Sequence, residues 1–199
     1  MQRHILLLLV MSEAIPLLLL AVFFRVERTM RQGLEAQSLA AKEEDRGSTR
    51  YLGLALGLCL LSILVAPALN YFGIAYIGKI SFLIAGGSAM IAGLALRITA
   101  ALTLGKFYTR TLTRLSDHKL LTHGIYRYVR NPGYLGTLLL FIGAGIASNN
   151  YISMAVCILL PILAYLYRIH AEETMLRESF GEEFISYKKR SWRLIPFIY

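Results

Sequence analysis

Residues 134–167 read YLGTLLLFIGAGIASNNYISMAVCILLPILAYLY, and they hold two apolar runs with only Asn149 and Asn150 between them. Neither run carries a charge. Runs of this length exceed ordinary strands and read as helices. A two-residue link cannot reach a distant element, so the runs form a tight antiparallel helical hairpin. At 1.5 Å per residue the first run, 134–148, is about 22 Å long, short of the roughly 30 Å of a bilayer core. It either stops within the membrane or is extended by the segment before it.

The rest of the chain supports a membrane reading. Of 199 residues, 56% are hydrophobic and 17% charged, whereas soluble chains hold about 45–50% apolar and about 25% charged residues. This composition excludes a disordered chain and argues against a soluble enzyme. Three further apolar segments lie at 5–24, 51–69 and from 77 to at least 96. The first is too long for a signal-peptide core, and no small-residue cleavage site follows it. The expected fold is an all-α polytopic bundle of five transmembrane helices, the last two forming the hairpin. Cys59 and Cys157 lie in apolar runs and read as core- or lipid-facing thiols, not as a disulfide framework. Gly53 and Gly57 make a GxxxG pair, and Gly86, Gly87 and Gly93 a small face, suited to close helix packing within or between chains.

The net charge is +9, and its distribution gives it meaning. Nineteen of the 21 lysines and arginines fall in segments 25–50, 97–132 and 168–199, all on one side of a five-span chain. The positive-inside rule places the N-terminus outside and the C-terminus in the cytoplasm of a cell-membrane protein. The charge is therefore a topology signal, and no nucleic-acid partner is expected.

Segment 25–50 mixes six basic and five acidic residues and reads as a connector with helical pieces at the interface. Segment 105–134 is longer than a plain loop needs to be. It contains Asp117-His118-Lys119-Leu120-Leu121-Thr122-His123-Gly124-Ile125-Tyr126 and then Arg130-Asn131-Pro132-Gly133-Tyr134. Gly124 permits a turn, and Asn131-Pro132-Gly133 opens the fourth helix with its first N–H groups available to an anionic group. After the fifth apolar run, Arg168 and Glu172 are four apart and share a helix face. They form either an ion pair at the membrane surface or a site. Glu173 points about 140° away from Arg168. Glu13, inside the first span, is either functional or held protonated or paired in the bundle. Pro16, Pro67 and Pro161 read as helix kinks. His118 and His123 lack the partners of a zinc site, so no metal is expected. No dinucleotide fingerprint, Walker lysine or nucleophile elbow is present.

Leu121-Thr122-His123-Gly124-Ile125-Tyr126, Arg130 to Gly136, Glu172-Glu173, Phe180-Gly181-Glu182-Glu183-Phe184, Tyr187 to Arg190 and Ile195-Pro196-Phe197 together resemble the isoprenylcysteine carboxyl methyltransferases. The resemblance covers about residues 105–199. The wider superfamily, which includes phospholipid methyltransferases, shares the Arg-x-Pro-x-Tyr turn; the tail resembles the isoprenylcysteine branch. The apolar segments make 1–104 three N-terminal membrane helices with a cytoplasmic connector, and the resemblance implies a catalytic region over 105–199. It also implies S-adenosylmethionine as cofactor, leaving as S-adenosylhomocysteine, in a cytoplasmic pocket. Cofactor contacts are implied at His118, Lys119, Leu120, Leu121, Tyr126, Asn131, Pro132, Gly133, Tyr134 and Glu172. Arg168 matches the position that handles the acceptor carboxylate, as binding and catalytic residue. The implied acceptor is a lipophilic, prenylated-cysteine-like molecule entering from the membrane lipids. Asn131 stands where a histidine is usual, the glutamate run is cut to two, and there are five spans, all of which resemble a prokaryotic member.

Two other readings fit the same residues. One is a phospholipid or amine N-methyltransferase, in which His123 or Glu173 would serve as a base. The other is a membrane transporter or assembly factor without chemistry; it lacks support from broken helices near the midplane.

Overall fold

The computed structural model describes residues 2–30, 47–105 and 120–198. Five helices follow in order: α1, Gln2–Met30; α2, Ser48–Tyr71; α3, Ile80–Leu104; α4, Pro132–Ala147; α5, Tyr151–Arg190. A short 3-10 turn, Gly124–Arg127, precedes α4. Among the described residues the only β pairing is two isolated bridges. Helices are what apolar runs must form where no water can satisfy the backbone. α2, α3 and α5 are long and apolar enough to cross a membrane. α4 has 16 residues, about 24 Å, and remains shorter than a full span.

α3 and α4 touch backbone to backbone. A β-carbon on Gly86 would lie 2.4 Å from the Gly143 carbonyl oxygen, and one on Gly93 2.5 Å from that of Gly136. Only glycine fits at such crossings, so the small face expected on α3 is used, against glycines of α4. The Gly53–Gly57 pair on α2 differs. A β-carbon at either would meet nothing within 4 Å, so this pair makes no close contact among the described residues. The core gathers Leu20 and Phe23 of α1, Cys59 and Ile63 of α2, Met90 of α3, Leu140, Phe141 and Ala144 of α4, and Cys157 of α5. Both cysteines are free, buried thiols, as their apolar surroundings indicate. Glu13 has both carboxylate oxygens buried without a hydrogen-bond partner among the described residues.

The α4–α5 link is held by amides. Asn150 accepts from the backbone N–H groups of Ile152 and Ser153 at 3.0 and 3.3 Å, capping α5. Its own amide donates to Asn70 Oδ1 at 2.9 Å, and Asn70 donates to the Ser148 carbonyl at 2.9 Å. Asn149, with φ of 54°, accepts from the Lys79 N–H at 2.9 Å. Residues 77–79, expected inside the third helix, instead lie outside it beside this turn, with Gly78 at φ 68°, and the helix starts at Ile80. At the other end, α5 continues far past its apolar stretch, which stops at Tyr167. Its helical geometry is interrupted at Gly181, φ 50° and ψ −122°. In a straight helix Glu173 and Lys188 would stand about 22 Å apart; here they approach to 3.5 Å, so the chain bends back at the glycine.

Candidate active site

The polar corner begins where the apolar part of α5 ends. Arg168 is only 4% exposed. A guanidinium so placed must be hydrogen-bonded to be tolerated. Its Nε donates to the Tyr134 hydroxyl at 2.9 Å, and its Nη1 donates to Ser48 Oγ at 3.2 Å and Thr49 Oγ1 at 2.9 Å. The cation also stands 5.6 Å from the Tyr134 ring centroid. Tyr134 in turn packs on Tyr165, with centroids 5.0 Å apart. Three elements therefore converge on one side chain: the start of α2, the first turn of α4 and the middle of α5.

Glu172 follows one helical turn later on the same face. Burial pushes its carboxyl above the usual carboxylate range, against the opposing pull of Arg168 and the Tyr134 hydroxyl. Its Oε2 is buried and has no hydrogen-bond partner among the described residues. A buried acceptor left empty costs about 1–3 kcal/mol, more when charged. Among the described residues, Tyr134 links the two side chains, and no ion pair joins Arg168 to Glu172 directly.

Glu173, the next residue, is fully engaged. It lies 3.2 Å from Arg130 Nε, 2.8 Å from Arg193 Nη2 and 3.5 Å from Lys188 Nζ. Burial pushes its carboxyl up, yet Arg193, Arg130 and Lys188 outweigh burial and hold it below the usual range. Arg130 also donates to the Ser191 carbonyl and to Ser191 Oγ. A short parallel bridge runs alongside, with Arg130 N–H to Trp192 O and Trp192 N–H to Tyr128 O, both at 2.8 Å. This clasp fixes the C-terminal tail against the turn that opens α4.

The structure brings together Tyr134, Arg168 and Glu172 of the expected site residues. Pro132 is the first residue of α4, with Asn131 before it. The Asn131 amide donates to the Arg193 carbonyl at 2.8 Å, so it joins the turn to the tail. Gly133 lies under Arg97, whose Nη1 would be 2.8 Å from a β-carbon there. Tyr126 is buried, and its carbonyl accepts from the Tyr187 hydroxyl at 2.6 Å. Leu120 and Leu121 are half-buried, outside any regular element. His118 and Lys119 lie outside the described residues. His123 is exposed. No group of three or more histidine, cysteine, aspartate or glutamate residues gathers as a metal cluster among the described residues.

Four residues of this corner escaped the sequence reading. Ser48 and Thr49 fell within the connector 25–50, before the second apolar segment. Glu27 and Arg97 form a pair at 2.7 Å that joins α1 to α3, where each read as one charge among many. No local pattern signals either contact, since both depend on chain segments 70 or more residues apart.

The corner can hold a small zwitterion or an anion and a cation side by side. Arg168 suits a carboxylate, and the empty Glu172 oxygen suits an ammonium or another donor.

Comparison with known proteins gives a consistent result. A family model described as phospholipid methyltransferase matches residues 81–183, just over half of the chain. A probable protein-S-isoprenylcysteine O-methyltransferase from Oryza sativa subsp. indica is 32% identical over 143 residues, covering 70% of each chain. The protein-S-isoprenylcysteine O-methyltransferase of Tribolium castaneum is 36% identical over 110 residues, 54% of this chain and 39% of that one. A solved structure of a eukaryotic intramembrane Ras methyltransferase, an isoprenylcysteine carboxyl methyltransferase, superposes with a TM-score of 0.65 at 30% identity. The match covers 72% of this chain and 52% of that one, so the present chain spans about half the length of that structure.

Proposed function

The chain belongs to the isoprenylcysteine carboxyl methyltransferase family, within the phospholipid methyltransferases, and from that premise we propose that it methylates the carboxylate of a lipophilic, isoprenylcysteine-like acceptor using S-adenosylmethionine. The observation that carries the reading is the Arg168–Tyr134–Glu172 corner, a buried guanidinium one helical turn from a carboxylate oxygen without a partner among the described residues. The corner lies where apolar helix gives way to the cationic cytoplasmic face that the charge distribution assigns.

The residues fit the cofactor. Glu172 offers a buried acceptor that an ammonium would satisfy, and in the opening turn of α4 Gly133 and Tyr134 carry N–H groups with no partner within the helix. Residues 118–121 would complete the hold. When bound, S-adenosylmethionine supplies an electrophilic methyl group on a sulfonium. Arg168 orients the acceptor carboxylate, and Tyr134 and the hydroxyls behind it keep the guanidinium plane fixed. A carboxylate with pKa near 3.5 is already ionised at neutral pH, so no side chain has to remove a proton. The contribution of the chain is placement and partial exclusion of water from two charged groups. The acceptor enters sideways from the lipid and the polar cofactor from the cytoplasm.

The phospholipid reading asks for a base, because an amine acceptor must lose a proton. Glu173 is clasped by three cations and His123 is exposed, which favours the carboxylate acceptor. Purified protein incubated with labelled cofactor tests this directly. Label is expected on a prenylated cysteine analogue and not on phosphatidylethanolamine; the opposite pattern overturns the reading.

A further inference from the structure

We infer that Ser48 and Thr49, at the start of α2, are positioning residues that set the Arg168 guanidinium for the acceptor carboxylate. The inference rests on the reading of Arg168 given above and extends it to a part of the chain outside the segment 81–183 that the family model matches.

The geometry is specific. Nη1 of a guanidinium carries two N–H groups, and the two hydroxyls stand at 3.2 and 2.9 Å from it. Tyr134 takes Nε from the side of α4. Two of the three nitrogens are thus held by residues of two other helices, 34 and about 120 positions away in sequence. A plane fixed at two nitrogens cannot swing, so whatever carboxylate it meets is met in one orientation. Hydroxyls accept these bonds without bringing a negative charge of their own. They steer the cation and leave its field undiminished by their presence.

The hydroxyls are themselves in fixed places. Gly47 enters α2 with φ of 75°, and its carbonyl accepts the N–H groups of Arg50 and Tyr51 at 3.0 and 3.2 Å, which closes the first turn. Tyr51 then meets Tyr167 edge to face at 5.5 Å, and Leu52 packs against the cluster of Leu138, Tyr165, Ile169 and Leu194. Ser48 is fully buried. The start of α2 is therefore docked on α5 within one turn of Arg168. The N-terminal half of the chain completes the corner rather than only surrounding it.

A plain structural role makes a different forecast. Hydroxyls that merely satisfy a buried cation would, when lost, lower stability and cofactor affinity together. Positioning residues would lower use of the acceptor and spare the cofactor. The test is Ser48→Ala with Thr49→Val, each single variant, and Thr49→Ser. Deleting two bonds to a charged group is expected to lower kcat/KM for the prenylated cysteine analogue about tenfold or more. Affinity for S-adenosylhomocysteine by calorimetry should stay within about twofold, and Thr49→Ser should keep most of the activity because it keeps the hydroxyl. In an Arg168→Ala background the hydroxyl deletions should cost nothing further. Unchanged turnover in the double variant, an equal loss in Thr49→Ser, a parallel loss of cofactor affinity, or additive losses with Arg168→Ala would each overturn the inference. Should the double variant not accumulate in the membrane, Thr49→Val against Thr49→Ser carries the same comparison. Normal turnover of Arg168→Ala itself would instead bring down the reading of Arg168; loss there with none in the hydroxyl variants brings down this inference alone.

Discussion

Glu172 and Glu173 are neighbours on one helix, about 100° apart around its axis, and they live in opposite circumstances. Glu173 gathers Arg130, Lys188 and Arg193, and is held below the ordinary carboxylate range. Glu172 faces Tyr134 and Arg168 with one buried oxygen unmet among the described residues, and burial holds it above that range. The first is a finished contact that ties the tail to the turn before α4. The second is an unfinished one, the pattern expected where a ligand supplies the missing donor. Composition cannot separate them, since both are glutamates in a cationic segment. Only the direction each faces does so.

Substitutions can break or sharpen that contrast. The largest effects on turnover are expected at the unfinished contact. Arg168→Ala and Glu172→Ala should each lower methyl transfer tenfold or more, about 1.4 kcal/mol or greater in transition-state stabilisation, with the fold retained. Near-normal rates in both would remove the assignment.

Glu173→Ala should act on stability. Removing a carboxylate from three cations leaves charges unpaired. Discounted for the partly exposed Lys188 and Arg193, the loss is on the order of 2 kcal/mol, read as a lower Tm in detergent. Folded Glu173→Ala protein should still bind cofactor. A Tm unchanged from the parent would mean that the clasp contributes nothing.

The pH dependence of cofactor affinity should follow Glu172. Because burial raises its carboxyl, acidification protonates it above the ordinary glutamate range, and binding through the carboxylate should weaken from there downwards. Glu172→Gln should flatten that profile; an identical profile in Glu172→Gln would assign the titration elsewhere.

The smallest effect is expected at Glu13. Its carboxyl has no hydrogen-bond partner among the described residues, so Glu13→Leu should be neutral or mildly stabilising in a thermal scan. A clear loss of activity would give this acid a role.

The sequence made the helices legible because apolar runs in a membrane have no alternative to helix. The hairpin was legible for the same reason, with Asn149 and Asn150 too few to do anything but turn. The shared face of Arg168 and Glu172 followed from helical spacing alone. What stayed hidden was tertiary. Ser48 and Thr49 sit about 120 residues from the side chain they hold, and two hydroxyls at a helix start carry no signal of a long-range partner. The bend at Gly181 was equally silent, although it is what lets Lys188 reach Glu173. The Gly53–Gly57 pair shows the reverse case, a packing pattern that finds no packing among the described residues.

The central claim is that the corner beside Glu172 is a cofactor site and that the contact at Glu173 is not. Calorimetric titration of S-adenosylhomocysteine into the parent protein, Glu172→Ala and Glu173→Ala tests it most directly. Binding by the parent and by Glu173→Ala, with loss in Glu172→Ala, is the predicted result. No binding by the parent, or equal binding by the parent and Glu172→Ala, would contradict it.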